Sequence, residues 1–251
     1  MNILTKITLA LVLAAMLFPL KSTAQETEDN TRSEFIICSL KDGYTMDDVK
    51  DRASDYAQKL EEDGTQYNQY LMRPLFTGER MEGVTHIIAG IWPNGDQMYK
   101  EYGAYLNEYM DTATDNPAEC PVTVTTMDWT ITDDYRENEK RDQRFPVQIA
   151  DCKLNDGVSM EYAMSVAKEL EEVVRENGMG GYGVHWLSPY LGFEDYEHDF
   201  MSLVWWQSFD HRAEMAQNYY KVAEVMEGKM NSVMSCDDPR AYYTENLIST
   251  W

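Results

Sequence analysis

Hydrophobic residues recur along the chain with two different periods, and each period marks one type of element. In the first half, apolar residues at helical spacing run from Met46 to Leu60. Thr45 with Asp48 three positions later has the capping-box pattern of a helix start, and Gly64 provides the stop. The pattern predicts strands over 34–40, 66–76, 84–92 and 122–131 and helices over 46–63 and 96–110.

The second half repeats this order of elements. Its pattern predicts strands over 145–154, 182–191, 200–208 and 241–248 and helices over 159–176 and 210–228. Asp210 is the predicted cap of the last helix, which places His211 at the surface.

The two halves are also related residue by residue. Cys38-Ser-Leu-Lys-Asp-Gly-Tyr-Thr-Met46 recurs 114 positions later as Cys152-Lys-Leu-Asn-Asp-Gly-Val-Ser-Met160, and Trp92 recurs as Trp206. A period of this length indicates duplication of a whole domain-sized unit and not a solenoid of short repeats.

Each half has the order β-α-β-β-α-β of the ferredoxin-like motif. Two such units in tandem resemble the dimeric α/β barrel superfamily over residues 35–248, on element order and duplication. The resemblance implies an α+β fold with the two units packed face to face as an intramolecular α/β barrel. Members include antibiotic-biosynthesis-type monooxygenases, chlorite dismutase relatives and haem-degrading enzymes, but the Asn/Trp/His set of the haem-degrading group has no residue-by-residue counterpart here.

The amino terminus has the features of a secretory signal. A basic start at Lys6 precedes an apolar run of 7–18, then Pro19 and the small residues of 22–24. We therefore predict a signal peptide over 1–24, a disordered tail over 25–33, a first unit over 34–131, a charged linker over 132–144 and a second unit over 145–251. The mature protein is expected to be periplasmic or secreted.

Four cysteines remain after the signal, and an even number in an exported chain favours disulfides. Each unit holds one cysteine near its start and one near its end. Pairing within units, Cys38 with Cys120 and Cys152 with Cys236, joins the expected neighbouring ends of the first and fourth strands. No close pair of cysteines suggests zinc, and no metal site or cofactor is predicted.

Acidic residues outnumber basic ones by 44 to 21, for a formal net charge of −23. Phosphate backbones and anionic lipid surfaces repel such a chain, so nucleic acid and membrane-surface partners are not expected. Because a duplicated unit carries its own partner, we expect a monomer.

The strongest candidate site is a group of aromatic and histidine residues on the predicted strands. No acid/base pair and no nucleophile with a positioned base can be named, so no catalytic residue is predicted. Core packing explains many aromatics, but some rings should line the space between the sheets, where a histidine could orient a polar group. The predicted ligand-binding residues are His86, Trp92, His185, Trp186 and Trp206.

Two hypotheses follow for the function. The first is an exported, soluble protein that binds a small, fairly apolar molecule between its two sheets. The alternative is a barrel-type oxidoreductase or monooxygenase that uses histidine and tryptophan in the same cleft.

Overall fold

The structure is a computed structural model that describes residues 30–109, 116–134, 136 and 141–251. The predicted signal peptide and residues 25–29 of the predicted tail lie outside the described residues. Residues 135 and 137–140 of the predicted linker also lie outside them.

Strands and helices alternate in the described residues as the two-unit pattern predicts. The first unit contains β1 (Arg32–Leu40), α1 (Met46–Asp63), β2 (Asn68–Phe76), β3 (His86–Trp92), α2 (Gly95–Ala104) and β4 (Ala118–Asp134). The second contains β5 (Arg144–Leu154), α3 (Met160–Glu176), β6 (Tyr182–Leu191), β7 (Phe200–Trp206), α4 (Phe209–Asn218), α5 (Ala223–Val233), β8 (Met234–Cys236) and β9 (Arg240–Ser249).

The strands close into an eight-stranded antiparallel barrel. Within the units the strand orders are β4-β1-β3-β2 and β6-β7-β5-β9, which is the ferredoxin-like arrangement in both. The two sheets then join along both edges, since β4 pairs with β6 and β2 pairs with β9. This α+β barrel within one chain confirms the predicted fold class.

Side chains pack in separate compartments on the two faces of the closed sheet. Residues such as Phe35, Phe145 and Trp205 form the core inside the barrel. Outside it, α3 and its neighbours cover the second unit around Trp186. The helices α1 and α2 cover the first unit around Trp92. Because successive residues of a strand point to opposite faces, each strand contributes to both compartments.

The helix ends follow local chemistry, with one correction. Thr45 forms the predicted capping box with Asp48, and Gly64 ends α1 in the left-handed conformation. The predicted cap Asp210 is wrong, because the Ser208 hydroxyl accepts from the His211 backbone N–H and α4 begins at 209.

Three further differences concern lengths and burial. The predicted helix 210–228 is two α-helices, α4 and α5, joined by a short 3₁₀ turn. At the unit boundaries β1 begins at Arg32 and β4 continues to Asp134, because both pair with neighbouring strands there. His211, expected at the surface, is only 5% exposed.

Both predicted disulfides are present, Cys38–Cys120 and Cys152–Cys236. Cys236 lies on the short strand β8, directly opposite Cys152 of β5, which next pairs with β9. Disulfides of this kind are typical of oxidising compartments. Among the described helices, none combines the length and hydropathy needed to cross a bilayer.

We expect each disulfide to contribute strongly to stability, because the bridges span sequence separations of 82 and 84 residues. Closing loops of this length in the unfolded chain corresponds to about 4–5 kcal/mol in the chain-entropy treatment. Urea unfolding of a Cys152→Ala/Cys236→Ala protein, and separately of a Cys38→Ala/Cys120→Ala protein, should show losses of this order. Equal stability of the wild type and either double variant would contradict this expectation.

Candidate functional site

The inside of the barrel contains a cavity of about 470 Å³. Its walls are mostly apolar and aromatic, and its polar side chains include an imidazole and two carboxylates. The cavity is large enough for a small organic ligand. Its main apolar and aromatic lining residues are Phe35, Tyr70, Met72, Ala89, Phe145, Val147, Leu187, Leu203 and Trp205.

A β-bulge in β4 assembles the acidic part of this cavity. In a regular strand, Asp128, Thr130 and Thr132 would share one face. The pairing of β4 with β6 shifts register between Thr130 and Thr132. The cavity is accordingly lined by Asp128, Thr130 and Asp133, while Ile131 packs in the helix-side core of the second unit. Re-aiming a side chain in this way is a common role of bulges.

His185 of β6 lies opposite Thr130 and makes contacts with both carboxylates. Its Nδ1 is 3.1 Å from Asp128 Oδ1, and its Nε2 is 3.0 Å from Asp133 Oδ1. Burial lowers the pKa of His185, but the hydrogen bonds to Asp128 and Asp133 outweigh burial and raise it to about 10. At neutral pH this site therefore holds an imidazolium between two carboxylates.

Trp205 of β7 provides a second possible partner for the same imidazole. Its indole Nε1 lies 3.1 Å from His185 Nε2. An indole N–H can only donate, so it bonds to Nε2 only when that nitrogen carries no proton. When Nε2 of His185 loses its proton, its hydrogen bond to Asp133 would be replaced by a hydrogen bond that Trp205 Nε1 donates to Nε2. Asp128 would still accept from Nδ1.

Close packing fixes this polar group. A Cβ at Gly183 would collide with both Trp205 Nε1 and Asp133 Oδ1, so the glycine permits their approach. The Arg141 guanidinium carbon lies 4.6 Å from the Trp205 ring centroid and 4.7 Å from that of Phe145. Stacked on two rings of the cavity wall, this guanidinium adds a cation to the lining of the same cavity.

The wall of the cavity also includes a threonine whose hydroxyl group lacks a hydrogen-bond partner among the described residues. Thr244 of β9 is 2% exposed, and its hydroxyl oxygen has no hydrogen-bond partner among the described residues. It lines the same cavity. An unsatisfied buried hydroxyl is costly for stability.

Of the five predicted ligand-binding residues, the structure places only His185 at this cavity. Trp186 stacks on Phe200 with ring centroids 4.4 Å apart, and Trp206 packs in the same helix-side core. Trp92 is buried in the corresponding core of the first unit. These three rings therefore lie on the opposite face of the sheet from the interior cavity.

His86 lies apart from His185, on the helix side of the first unit, where it lines a different cavity. Its Nδ1 is 2.9 Å from the Thr85 hydroxyl. Burial, with a smaller contribution from Arg73, lowers the pKa of His86 to about 4. The two predicted histidines thus differ in both location and charge.

Trp205, Asp128 and Asp133 line this cavity but are not among the predicted ligand-binding residues. Strict alternation along β6 predicts that Leu187 lies on the same face as His185. The neighbours of His185 on other strands depend instead on the pairing of β4 with β6 and of β6 with β7. The adjacent tryptophans at 205 and 206 did signal that one ring faces each side, without indicating which. In the described part of the chain, no group of three His, Cys, Asp or Glu side chains is arranged to hold a metal ion.

The closed barrel and its interior site define a protein with the dimeric α/β barrel fold. No family model matches the sequence, and no curated protein matches it. Similar solved structures include a proposed monooxygenase from Lactobacillus acidophilus, with a TM-score of 0.54 and 9% identity over 88% of this chain and 97% of that one.

Two further structures show the same similarity. A proposed monooxygenase from Fusobacterium nucleatum subsp. nucleatum has a TM-score of 0.52 at 12% identity, covering 87% of this chain and 93% of its own. A mutant chlorite dismutase from Candidatus Nitrospira defluvii has a TM-score of 0.52 at 10% identity, covering 88% and 94%. At these identities the likeness shows the fold alone.

We expect the pKa of His185 to lie above, and that of His86 below, the value of an ordinary histidine. NMR spectra of their ring protons, recorded as a function of pH, measure both. His185 should keep its proton until about pH 10, and His86 should lose it near pH 4. Replacing Asp128 by Asn removes one carboxylate from His185, so its pKa should fall by roughly one pH unit or more, with His86 unchanged.

The same shift predicts the pH dependence of stability. A pKa raised in the folded state stabilises the protein fully below about pH 6.5, and this contribution is lost as the pH rises towards about 10. The loss between these values should be smaller in Asp128→Asn. A wild-type His185 that titrates near 6.5 would show that the carboxylates do not hold the proton.

Proposed function

We propose that this protein binds a small, planar and largely apolar molecule inside its barrel, with a hydrogen-bond donor of the ligand directed at the carboxylates beside His185. The observation that carries the proposal is the 470 Å³ interior cavity, with its aromatic walls and its charged group around one imidazole. A phenol or a related aromatic alcohol has this combination of a flat apolar body and one donor.

The contacts of His185 explain why the ligand should be a donor. Both ring nitrogens of the imidazolium are within hydrogen-bond distance of a carboxylate. The imidazolium therefore has no remaining N–H for a ligand, whereas each carboxylate has free acceptor capacity. Asp133 is the more accessible of the two, with 47% side-chain exposure against 8% for Asp128.

The apolar walls would supply most of the affinity. Aromatic side chains provide stiff, large contact surfaces, and Phe145 and Tyr70 already pack edge to face at 6.1 Å between ring centroids.

Oxidoreductase or monooxygenase activity in the same cavity is a second candidate function. It is favoured by the imidazole, the two carboxylates and Trp205 within one cavity, and by the fold shared with the proposed monooxygenases. The raised pKa keeps the imidazole of His185 protonated at neutral pH, so it has no free nitrogen to accept a proton, and the exposed Asp133 carboxylate is the remaining acceptor for a proton from a bound phenol.

We further propose that the protein works outside the cytosol and as a monomer. The two disulfides support an oxidising compartment, and the signal-like amino terminus supports export. A barrel closed by two units of one chain leaves neither unit in need of a second copy.

Calorimetric titration with 2-naphthol and with 2-methoxynaphthalene tests the need for a hydrogen-bond donor. The two compounds have the same ring system, but the methyl group of the second removes the hydroxyl donor. We expect 2-naphthol to bind about tenfold or more tightly, because a hydrogen bond to a carboxylate contributes roughly 1.5–3 kcal/mol. Asp133→Asn should reduce this preference. Leu203→Phe, which fills the cavity, should abolish binding of both compounds.

Trp186→Phe is the matched control, since Trp186 neighbours His185 in sequence but lies on the helix side. It should lower stability and leave the affinity for 2-naphthol unchanged. Equal binding by the wild type and Leu203→Phe, with both folded by circular dichroism, would place the ligand elsewhere and overturn the proposal.

Oxygen uptake with hydroquinone tests the second candidate. Hydroquinone would lose two electrons and two protons to form benzoquinone, and dioxygen would accept them to form hydrogen peroxide. We expect catalytic uptake that Asp133→Asn lowers at least tenfold, if the carboxylate accepts the phenolic proton. Uptake no faster than without protein would leave binding as the function.

A further inference from the structure

A second cavity, of about 580 Å³, lies on the other face of the sheet in the first unit. It is lined by the outer face of the first unit's strands and by residues of α1 and α2. Its chemistry differs from that of the barrel interior, because buried carboxyl groups and tyrosines line it. We call it the helix-side cavity; its polar and aromatic lining residues include Glu34, Arg52, Tyr56, Tyr67, Gln69, His86, Glu101, Tyr102, Tyr105 and Tyr109.

Glu34 of β1 is one of the two buried carboxyl groups. Its Oε1 accepts from the Tyr67 hydroxyl at 2.7 Å, and its Oε2 accepts from the Tyr102 hydroxyl at 3.0 Å. Burial raises the pKa of Glu34, although both tyrosine hydrogen bonds act in the opposite direction.

Glu101 of α2 is the second carboxyl group and is only 4% exposed. Its Oε1 accepts a hydrogen bond from the Tyr56 hydroxyl. Its Oε2 is buried and has no hydrogen-bond partner among the described residues. Burial, and next the nearby charge of Glu34, raise the pKa of Glu101 to about 8. Glu101 thus lines the helix-side cavity with one of its two carboxyl oxygens unpartnered in the described part of the chain.

Tyrosine rings form the wall beside these carboxyl groups. The Tyr56 ring centroid is 4.7 Å from that of Tyr109, 5.7 Å from that of Tyr105 and 6.4 Å from that of Tyr67. The electron-rich faces of such rings attract cations, and clusters of aromatic rings bind ammonium groups in other proteins.

Positive charge is scarce among the described residues of this lining. Arg52 of α1 is the one permanently charged base, and its guanidinium carbon lies 5.5 Å from the Tyr109 ring centroid. His86 is neutral, because its pKa is lowered to about 4. The lining therefore contains two carboxyl groups and one charged basic group.

In the second unit, the place that corresponds to the helix-side cavity is filled by core side chains. The helices α2 and α4 correspond at the same offset of 114 positions that relates the two cysteine motifs. At that offset Tyr56, His86 and Glu101 correspond to Leu170, Phe200 and Met215, which belong to the helix-side core of the second unit. The first unit has a polar, tyrosine-lined cavity where its copy has packed apolar side chains. This is the pattern expected of a binding site, because buried carboxyl groups lower stability.

We propose that the helix-side cavity binds a small organic cation of the ammonium class. Glu101 and Glu34 would neutralise its charge, and the rings of Tyr56, Tyr105 and Tyr109 would surround its alkyl groups. An organic cation fits this lining better than a metal ion, since aromatic rings offer it contact surface. The described residues also contain no group of three metal-ligating side chains.

Binding of a cation should be linked to proton release. Glu101 has a pKa of about 8 in the free protein, so it is mostly protonated at pH 7. A bound cation favours the carboxylate, and the proton leaves to solvent. Affinity should therefore rise with pH up to about 8 and change little above it. The other titratable or charged groups in this lining include Glu34, Tyr56, Tyr102, Arg52 and His86, and burial raises the pKa of Glu34 as well.

Calorimetric titration with choline, and with its uncharged isostere 3,3-dimethylbutan-1-ol, tests the proposal. We expect choline to bind and the isostere to bind at least tenfold more weakly. Comparing buffers of different ionisation enthalpy at pH 7 should show release of a proton on choline binding. Glu101→Gln, which mimics the protonated side chain, should weaken choline binding at least tenfold and remove its pH dependence.

Glu171→Gln is the matched control. Glu171 is also a buried carboxyl group that accepts from a tyrosine, Tyr182, but it lies in the second unit and outside the helix-side cavity. It should bind choline like the wild type. Equal binding of choline and the isostere, equal affinities of Glu101→Gln and Glu171→Gln, or no choline binding to the folded wild type would each overturn the proposal.

Discussion

The pairing of β4 with β6 and of β2 with β9 is the constraint on which the rest of this structure depends. A lone ferredoxin-like sheet exposes backbone donors and acceptors along its outer strands, and such edges are open to non-native pairing. The duplicated unit supplies both missing partners, so the two sheets close into a barrel without a long free edge. Closure also creates an interior that neither unit has alone. The interior site is accordingly a product of both units, with its carboxylates on β4 and its imidazole on β6.

Once the barrel is closed, strand alternation separates two kinds of chemistry. His185 and Trp205 face the interior, while their chain neighbours Trp186 and Trp206 pack beneath helices. A single residue therefore decides whether an aromatic ring meets a cavity or a core. The β4 bulge is the exception to strict alternation, and it brings Asp133 to the interior beside Asp128.

Burial disfavours the charged form of the ionisable groups in both cavities, but the outcome differs between them. His185 keeps its charge because two carboxylates lie within hydrogen-bond distance and outweigh the loss of hydration. Burial is the larger cause of the raised pKa of Glu101, and the charge of the nearby Glu34 raises it further. The charge of a buried group thus follows from its partners and not from burial alone. The charged groups of the barrel interior balance one another, whereas the helix-side cavity holds a buried carboxyl group that is mostly protonated at neutral pH.

The sequence by itself determined the order of elements, the duplication and the cysteine pairing. These are local or repeated features: a capping box at Thr45, helical and strand periods, and cysteines at equivalent places in each unit. It did not determine which face of each strand would meet the interior, because alternation gives two sets of residues without indicating which is inside. Only the register of β4 against β6, including its bulge, joined His185 to Asp128 and Asp133, and the pairing of β6 with β7 placed Trp205 beside it. The helix-side cavity likewise depends on Glu34 and Glu101, which are far apart in the chain and meet only when α2 packs on its sheet.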